Sequence, residues 1–376
     1  MSQSCSVVFI GSEKSVFVGR TADELRKRDV LVSVIDPYGD SEVGQGSLAR
    51  SLVGAVGNAI RLKRKLLALP RHDAVIIHSL GRGLLFQIHL ARGAATRVIG
   101  LAYGSDILRR NRRYDPLLGA GLKRLTVVAA TNSNVIEEIE RAFVGLANRR
   151  VLRFGLPVLE AIDGLEDPDQ DVAGFRRAAG LPAGKTIVSL GYSAAPGQRQ
   201  LDLVNFFGAR HAVLQHLAFV VPVQYGSRDM PAKVISACDG YNSLAGRIFF
   251  IPITEFYDSH QSALLRMSTD ILINHSISDA FSGTVQEVLY CGNCVLAADV
   301  LPYGDMPGSE AGILSYDRLE TALPWLEPQH IVAWKGRAAA RLAETKREIA
   351  ATSSWDAVIQ DWIGLISGDQ PAADLG

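Results

Sequence analysis

Residues 278–297 read SDAFSGTVQEVLYCGNCVLA, and this stretch predicts a loop, a helix, a tight turn and a strand, in that order. A glycine lies near the start of the helix, and residues 294–297 form a short apolar run. Another such run, residues 270–274, comes directly before the loop. A strand, a helix and a second strand are the repeating unit of a doubly wound parallel sheet. This stretch therefore predicts an α/β fold.

The same alternation runs through the rest of the chain. The predicted strands are 6–10, 30–35, 74–78, 97–101, 126–130 and 151–154 in the N-terminal half, and 186–190, 217–223, 247–251, 270–274, 294–297 and 312–315 in the C-terminal half. Apolar strands separated by helices are typical of parallel sheets covered on both faces. Two sets of six predict two Rossmann-like, doubly wound domains, which bind ligands beyond the carboxyl ends of their strands.

The predicted domains are residues 1–155 and 184–330, joined by a linker at 156–183. The linker is rich in proline, glycine and acidic residues, although its second half is compatible with a short helix. Residues 331–366 are expected to form helices that pack back toward the N-terminal domain. Their apolar residues recur at three- and four-residue spacing.

The composition is that of a soluble globular protein, with 48% apolar and 21% charged residues among 376. The longest apolar run is far shorter than the roughly 20 residues that cross a bilayer, and no signal peptide is recognised. A cytoplasmic location is therefore expected. The four cysteines do not make a disulfide framework. Cys291 and Cys294, spaced C-x-x-C without a second pair, are predicted to be small buried residues.

The net charge of zero hides an asymmetry. Residues 1–160 carry 24 Lys and Arg against 14 Asp and Glu, whereas the remainder carries 15 against 25. Two basic segments, 61–67 and 109–113, interleave cations with leucine, isoleucine or tyrosine. They are compatible with solvated helix faces or with an amphipathic surface that contacts anionic lipid. Nucleic acid is not an expected partner, because no aromatic and basic platform accompanies the charge.

The loop and helix start within 278–287 carry the strongest chemical signal. The free N–H groups of Ser282, Gly283 and Thr284 would point at an anion such as a diphosphate, and a glycine lets it approach closely. Asp279 and Glu287 flank these groups, and carboxylates accept hydrogen bonds from sugar hydroxyls. One alternative stays open, since Thr284-x-x-Glu287 is also a capping box in which the glutamate only satisfies the helix end.

Asp279 and Glu287, eight residues apart, resemble the E-x7-E motif of GT-B glycosyltransferases of family four, with aspartate in the first position. The surrounding residues are similar too, although Cys294 stands where that family commonly has proline. The resemblance implies that Asp279 contacts the donor sugar and Glu287 the ribose of the nucleotide. It also implies the GT-B architecture, with two Rossmann-like domains facing a central cleft, and retention at the anomeric carbon.

A second loop, LGYSAAPGQRQ, follows the first strand of the C-terminal half. Gly191 permits a turn and Arg199 could neutralise a phosphate, although an ordinary strand-to-helix loop is the alternative. With Tyr192, Tyr225 and residues 302–306, this loop resembles bacterial 4-acetamido-4,6-dideoxygalactose transferases, which are also GT-B enzymes. That resemblance implies inversion, so the stereochemistry stays open.

The GT-B resemblance also implies a contact with the nucleotide base. It falls on backbone groups of Ile251 and Ile253, in a loop expected between a strand and a helix. An ordinary loop is again the alternative.

The N-terminal half is expected to hold the acceptor and any catalytic base. Gly11 follows the first strand and could border the donor phosphates, while His78 ends the third strand. The stretch Tyr103-Gly-Ser-Asp106 resembles a Trp-Gly-Ser-Asp stretch of related transferases. Asp106 is then a candidate general base for an inverting reaction, or the N-cap of the next helix. His78 is a candidate polar contact or a satisfied structural histidine.

No D-x-D motif or His/Asp cluster with metal-ligand spacing lies within either predicted domain, so no metal site is expected. Helix N-termini and basic side chains would stabilise the departing diphosphate instead. No cofactor is expected either: the nucleotide sugar is a substrate, and UDP, dTDP and GDP are not distinguished.

The sequence thus favours a hexosyltransferase that uses a nucleotide sugar and a saccharide or lipid-linked acceptor, in bacterial surface polysaccharide or glycoconjugate synthesis. Its N-terminal domain could contact the inner face of the cytoplasmic membrane. Two alternatives stay open: a nucleotide-sugar 2-epimerase on the same fold, and a non-catalytic sugar-nucleotide-binding partner. A dinucleotide-dependent oxidoreductase is disfavoured, because no G-x-G-x-x-G follows the first strand of either half.

Overall fold

The computed structural model describes residues 5–37, 48–81, 83–146, 148–224, 229–247, 249–280 and 282–369. The chain divides into two compact units, unit 1 formed by Met1–Gly155 and Trp355–Gly376, and unit 2 by Leu156–Ser354. Each unit contains one six-stranded parallel sheet with helices packed on it. The expected α/β architecture of two doubly wound parallel sheets is confirmed.

Unit 1 alternates strands with helices along the chain. Its elements are β1 Ser6–Ile10, α1 Val16–Arg26, β2 Leu31–Ile35, α2 Leu48–Leu67, β3 His72–His78, α3 Leu84–Ala91, β4 Ala95–Ala102, α4 Ser105–Leu108, α5 Asp115–Leu122, β5 Val127–Ala130, α6 Ser133–Ala142 and β6 Arg149–Val151. The strand order is β2-β1-β3-β4-β5-β6, and each pair is parallel. Right-handed crossovers put α1 on one face and α2, α3 and α5 on the other, where α3 packs between α2 and α5.

Unit 2 repeats this pattern with two extra helices before its first strand. Its elements are α7 Pro157–Asp163, α8 Pro168–Ala178, β7 Thr186–Leu190, α9 Gln200–Gly208, β8 Leu217–Pro222, α10 Met230–Ala245, β9 Phe250–Ile253, α11 Ser259–Ser268, β10 Ile271–Asn274, α12 Gly283–Tyr290, β11 Cys294–Ala298, α13 Ser309–Gly312, β12 Ile313–Tyr316, α14 Leu319–Ala322, α15 Pro328–Ala340 and α16 Leu342–Ser353. The strand order is β12-β11-β10-β7-β8-β9.

The segment expected to be a linker, residues 156–183, forms α7 and α8 instead. Val158 and Ile162 of α7 are buried in the core of unit 2. Pro157 and Pro168 lie in the first turn of the two helices. A proline is tolerated there because the backbone N–H that it lacks would have no partner within the helix. Proline therefore marks helix starts in this segment, which explains why its composition resembles that of a linker.

The helices expected within residues 331–366 are divided between the two units. α15 and α16 belong to unit 2, whose core contains Trp334 and Ile349. The last helix, α17 (Trp355–Ser367), belongs to unit 1 and buries Ile359 and Trp362 against Phe9 of β1. The apolar face of α17 thus completes the core on the α1 side of the first sheet.

The two cysteines of the C-x-x-C are free thiols. Cys294 is fully buried on β11 and Cys291 is half-buried at the end of α12. Burial raises the pKa of each thiol to about 12, so both stay protonated near neutral pH. No helix in the described ranges has the length and hydropathy needed to cross a bilayer.

Candidate functional site

The switch point of the second sheet lies between β7 and β10. From these two neighbouring strands the chain continues outward in opposite directions, which opens a crevice beyond their carboxyl ends. Gly191 comes directly after β7 with a φ of +65°, and its N–H donates to the carbonyl of Ile273, 2.8 Å away. A Cβ there would lie 3.1 Å from Oε1 of Gln198. The sharp turn at Gly191 therefore brings the loop after β7 against the loop after β10.

Asp279 is the centre of a hydrogen-bond network in that crevice. Its Oδ2 accepts from the hydroxyls of Tyr192 and Tyr303, each at 2.6 Å, and from Nδ2 of Asn274 at 3.2 Å. Its Oδ1 accepts from the N–H of Ala280 at 2.8 Å. Burial, reinforced by the charge of Asp279, raises the pKa of both tyrosines, so they remain donors. The carboxylate of Asp279 is consequently fixed in one orientation.

The start of α12 faces the same crevice. Ser282 is buried and caps the helix, since its Oγ accepts from the N–H of Val285 at 3.4 Å. The N–H groups of Gly283 and Thr284 have no acceptor within the described part of the chain. A Cβ on Gly283 would lie 2.8 Å from Cδ2 of Leu156. The helix start therefore combines two available donors with a position where a larger residue would displace the side chain of Leu156.

Glu287 is not part of a capping box. The helix begins at Gly283, so Glu287 lies beyond its first turn. Its Oε2 accepts from Nε of Arg266 at 2.9 Å, and Nη2 of Arg266 donates to Oγ1 of Thr284 at 3.3 Å. Both charged side chains are nearly buried, with 13% of Arg266 and 9% of Glu287 exposed. The other oxygen, Oε1, lies 3.9 Å from where a Cβ on Gly283 would be, next to the helix start.

Arg199 brings positive charge to the loop after β7. It adopts a left-handed conformation with a φ of +53°, and its Nε donates to Asp202 at 2.9 Å. His275, at the carboxyl end of β10, has its Nδ1 3.0 Å from the hydroxyl of Tyr316. Burial and then the charge of Arg199 lower the pKa of His275. The exposed guanidinium of Arg199 thus lies close enough to the crevice to influence charges within it.

Two expected contacts with the donor nucleotide have a different placement. Ile251 and Ile253 lie within β9 and not in a loop after it. The carbonyl of Ile253 accepts from the N–H of Val223, and its side chain is buried in a core cluster. The strand continues through Pro252 because β9 is an edge strand, where a missing N–H costs no ladder bond. Tyr225 lies outside the described residues.

Gly11 and His78 meet at the switch point of the first sheet, between β1 and β3. A Cβ on Gly11 would lie 3.2 Å from Cβ of His78. His78 is 8% exposed; its Nδ1 is 2.6 Å from the hydroxyl of Tyr103, and its Nε2 has no partner in the part of the chain that the structure describes. The ring also stacks on Trp362 at 6.5 Å between centroids. His78 is therefore a buried, aromatic-packed residue that retains one unused nitrogen.

Asp106 connects two loops at the same end of the first sheet. Its Oδ1 accepts from the N–H groups of Tyr103 and Gly104, both at 3.0 Å, and its Oδ2 from that of Leu80 at 2.7 Å. Burial raises the pKa of Asp106, while these backbone donors act in the opposite direction. Asp106 is not the N-cap of α4, because Gly104 holds that position. Both of its oxygens are committed to backbone groups.

Solved structures of sugar-transferring enzymes share this pair of sheets. The chain is similar to HepE of Anabaena in complex with UDP-glucose, at 13% identity and a TM-score of 0.71, covering 97% of this chain and 100% of that one. It is similar to a sucrose-phosphate synthase of Thermosynechococcus elongatus, at 14% identity and 0.70, covering 96% and 98%. A UDP-forming α,α-trehalose-phosphate synthase of Burkholderia vietnamiensis matches at 13% and 0.70, covering 97% and 98%. The chain has the GT-B fold.

At these identities the likeness establishes the GT-B fold alone. No protein-family model matches the chain, and no curated protein matches it in sequence. The closer resemblances to family four and to the acetamido-dideoxygalactose transferases therefore stay predictions. In the described ranges, no three His, Cys, Asp or Glu side chains are grouped so that they could hold a metal ion.

Several residues at the two switch points are not evident from sequence motifs. Asn274 and Tyr303 fix Asp279, Arg266 pairs with Glu287, and Tyr103 pairs with His78. Tyr303 and Tyr103 lie in stretches that show a family resemblance, which is a usable signal. Arg266 belongs to the last turn of α11, and no local pattern distinguishes it from an ordinary surface arginine.

The buried state of His78 leads to a prediction about pH. Burial lowers its pKa to about 3, against 6.5 for an exposed histidine. Below pH 6.5 the imidazole of His78 binds a proton in the unfolded chain but stays neutral in the folded chain. The contribution of the neutral His78 to the free energy of unfolding is therefore fully present above pH 6.5 and is lost on acidification, at about 1.4 kcal/mol per pH unit. We expect the free energy of unfolding in urea to fall less steeply from pH 6.5 to 4.5 for His78→Gln than for the wild type. As a control, His330→Gln at an exposed position should show the same dependence of the free energy of unfolding on pH as the wild type. Equal pH slopes for the wild type and both variants would refute a neutral buried His78.

Proposed function

We propose that the protein is a glycosyltransferase that moves a sugar from a nucleotide-sugar donor to a saccharide or lipid-linked acceptor. One observation carries this proposal: the unpaired N–H groups at the start of α12 lie beside the carboxylates of Asp279 and Glu287, at the switch point of the second sheet. Amide donors at a helix N-terminus suit a diphosphate, and carboxylates suit sugar and ribose hydroxyls.

The chemistry of these groups fits a departing nucleoside diphosphate. Gly283 and Thr284 would donate to its oxygens, and the helix dipole would favour the negative charge that develops as the glycosidic bond breaks. Arg199 would add a cation from the loop after β7. Oε1 of Glu287 would accept from the ribose, while Asp279, held by two tyrosines, would orient the donor sugar. Because these groups would stabilise the leaving diphosphate electrostatically, we propose that the reaction does not require a metal ion.

In unit 1 we propose a contact role for His78 and a positioning role for Asp106. A histidine with a pKa of about 3 is a weak base at neutral pH. Its Nε2 has no partner among the described residues but is buried, so it would bond to a sugar only if the side chains around it move apart. Asp106 accepts from three backbone N–H groups, which occupy three of the roughly four acceptor sites of its carboxylate and favour a positioning role over deprotonation of an acceptor. It would hold the loops around His78 and Tyr103 in place.

The donor class can be narrowed by analogy with proteins of the same fold. HepE was solved with UDP-glucose, and the Burkholderia synthase is UDP-forming. We therefore propose a UDP-hexose as the first donor to examine, with dTDP and GDP sugars as the alternatives. Surface polysaccharide or glycoconjugate synthesis at the inner face of the cytoplasmic membrane is the setting that we propose, with either anomeric outcome.

A thermal-shift screen of nucleoside diphosphates and their sugars tests the proposal. Stabilisation by one diphosphate and its sugar, followed by transfer to an acceptor, is the expected result. Incubation with the donor alone separates this activity from that of an epimerase, which would convert the sugar without an acceptor. Absence of a shift with all of the nucleotides would contradict the proposed site.

Gly283→Ala is expected to weaken binding of the nucleoside diphosphate by roughly 10- to 100-fold, the value of one or two hydrogen bonds to a charged group. The new methyl group would come within 2.8 Å of Cδ2 of Leu156 and 3.9 Å of Oε1 of Glu287, so it would crowd the space beside the free amides and displace the side chain of Leu156. Isothermal titration calorimetry measures the affinity. Leu156→Ala with Gly283→Ala relieves the clash and should still bind weakly. Gly240→Ala, whose Cβ meets nothing within 4 Å, is the matched control. Wild-type affinity in both Gly283 variants would argue against the helix start as the phosphate site.

A further inference from the structure

Helices α2, α3 and α5 form a strongly cationic face of unit 1. α2 carries five lysine and arginine residues and no acidic residue, and α3 has no acidic residue either. The one acid of α5, Asp115, is 3.0 Å from Nε of Arg110, whose side chain is only 10% exposed. The acidic charge on this face is therefore already neutralised within unit 1.

Large apolar side chains are exposed on the same face. Leu62 and Leu66 of α2 are buried against the sheet, whereas Ile60 and Leu67 are 55% and 75% exposed. The exposed apolar residues alternate with exposed cations, including Arg64 and Lys65. The second half of α2 therefore buries one apolar side against the sheet and exposes a mixture of apolar and cationic side chains on the other side.

A shallow groove between α3 and α5 continues the same composition. Phe86 and Leu117 line it and are 48% and 50% exposed, and the exposed cations Arg92 and Arg124 border it. Because α3 packs between α2 and α5, the groove and the end of α2 belong to one surface. We call the surface formed by Ile60, Arg64, Lys65, Leu67, Phe86, Arg92, Leu117 and Arg124 the basic-apolar face.

We propose that the basic-apolar face docks on a bilayer that contains anionic phospholipid. Cations would pair with the phosphate headgroups, and Ile60, Leu67 and Phe86 would enter the boundary between headgroups and acyl chains. A nucleic acid would match the charge but would leave these aliphatic side chains without a partner. The inference concerns unit 1 alone and does not depend on sugar transfer, so each can fail without the other.

Co-sedimentation of the full chain with vesicles tests the docking surface. Vesicles of phosphatidylcholine alone are compared with vesicles that also contain phosphatidylglycerol, at low and at high salt. We expect binding to the anionic vesicles that weakens with salt, and a loss of about tenfold or more for Arg64→Glu with Lys65→Glu. The matched control is Arg337→Glu with Arg347→Glu, at exposed positions of unit 2, which should bind like the wild type.

The apolar part of the face has its own test. Phe86→Ser with Leu117→Ser should weaken binding to anionic vesicles, whereas Val213→Ser with Leu244→Ser, at even more exposed apolar positions of unit 2, should not. Circular dichroism and thermal unfolding without ligand verify that each variant is folded. Equal binding to neutral and anionic vesicles, wild-type binding by the Arg64 and Lys65 variant, or tighter binding to duplex DNA or RNA than to vesicles would overturn the proposal.

Discussion

Replacing Glu287 by leucine is expected to lower the free energy of unfolding by about 3–5 kcal/mol, because it leaves a buried charge without its partner. Arg266 donates to Glu287 at 2.9 Å, and only 13% of its side chain is exposed. Without the carboxylate the guanidinium keeps one weak contact with Thr284. Urea denaturation followed by circular dichroism measures the loss. A loss below 1 kcal/mol would mean that Arg266 reaches water easily and that the pair is not structural.

The second half of this prediction separates packing from ligand binding. Arg266→Met with Glu287→Leu replaces the whole buried pair by apolar side chains, which often restores stability. If Glu287 accepts from the ribose, the double variant should be stable and still bind the nucleotide roughly 10- to 100-fold more weakly than the wild type. Titration calorimetry provides the comparison. Wild-type affinity in the stable double variant would assign Glu287 a structural role only.

A second buried ion pair supplies the control for this experiment. Nη1 of Arg110 is 2.9 Å from Oε1 of Glu138 in unit 1, with 10% and 20% of the side chains exposed. Glu138→Leu should destabilise the chain in the same way, because Arg110 loses one of its two carboxylate partners. It should leave nucleotide affinity unchanged, since Arg110 and Glu138 belong to unit 1 whereas the proposed nucleotide site belongs to unit 2.

Most strands could be predicted because the inner strands of each sheet are buried on both faces and therefore appear as continuous apolar runs. Among the described residues, all twelve strands overlap their predicted ranges. β9 shows the limit: Arg247 still belongs to the turn after α10, and Pro252 lies inside the strand. A proline normally indicates the end of a strand, but at a sheet edge it is tolerated. This shift is the reason why Ile251 and Ile253 were expected in a loop.

The site could be predicted only where its residues are close in sequence. The loop at Asp279 and the helix start at Gly283 were recognisable because glycine, acid and helix signals occur together. Their partners come from elsewhere: Tyr303 is 24 residues from Asp279, and Arg266 is 21 residues from Glu287. Such contacts depend on how helices pack on the sheet, and a single sequence does not encode that packing in a local pattern.

Trp362→Ala is expected to lower the free energy of unfolding by about 3–5 kcal/mol, as is usual when a fully buried tryptophan is truncated. Trp362 is completely buried in unit 1, where its ring packs against Phe9 and Phe154 at centroid distances of 6.2 and 5.3 Å. Its Nε1 donates to the carbonyl of Arg153 at 2.8 Å, which joins α17 to a segment 209 residues earlier in the chain. The truncation would leave a cavity and remove the hydrogen bond from the indole to the carbonyl of Arg153, so packing and hydrogen bonding are lost together.

The same substitution should change the acid–base behaviour of His78, which stacks on Trp362. Water that enters the cavity would solvate the imidazolium, so the pKa of His78 should rise from about 3 toward 6.5. NMR titration of the imidazole measures this change, and urea denaturation measures the stability. Trp362→Phe keeps most of the ring and serves as the control, with a smaller loss of stability and a His78 that stays neutral. If Trp362→Ala leaves the His78 titration unchanged, then the dryness of this pocket does not depend on α17, and another part of unit 1 must exclude water from it.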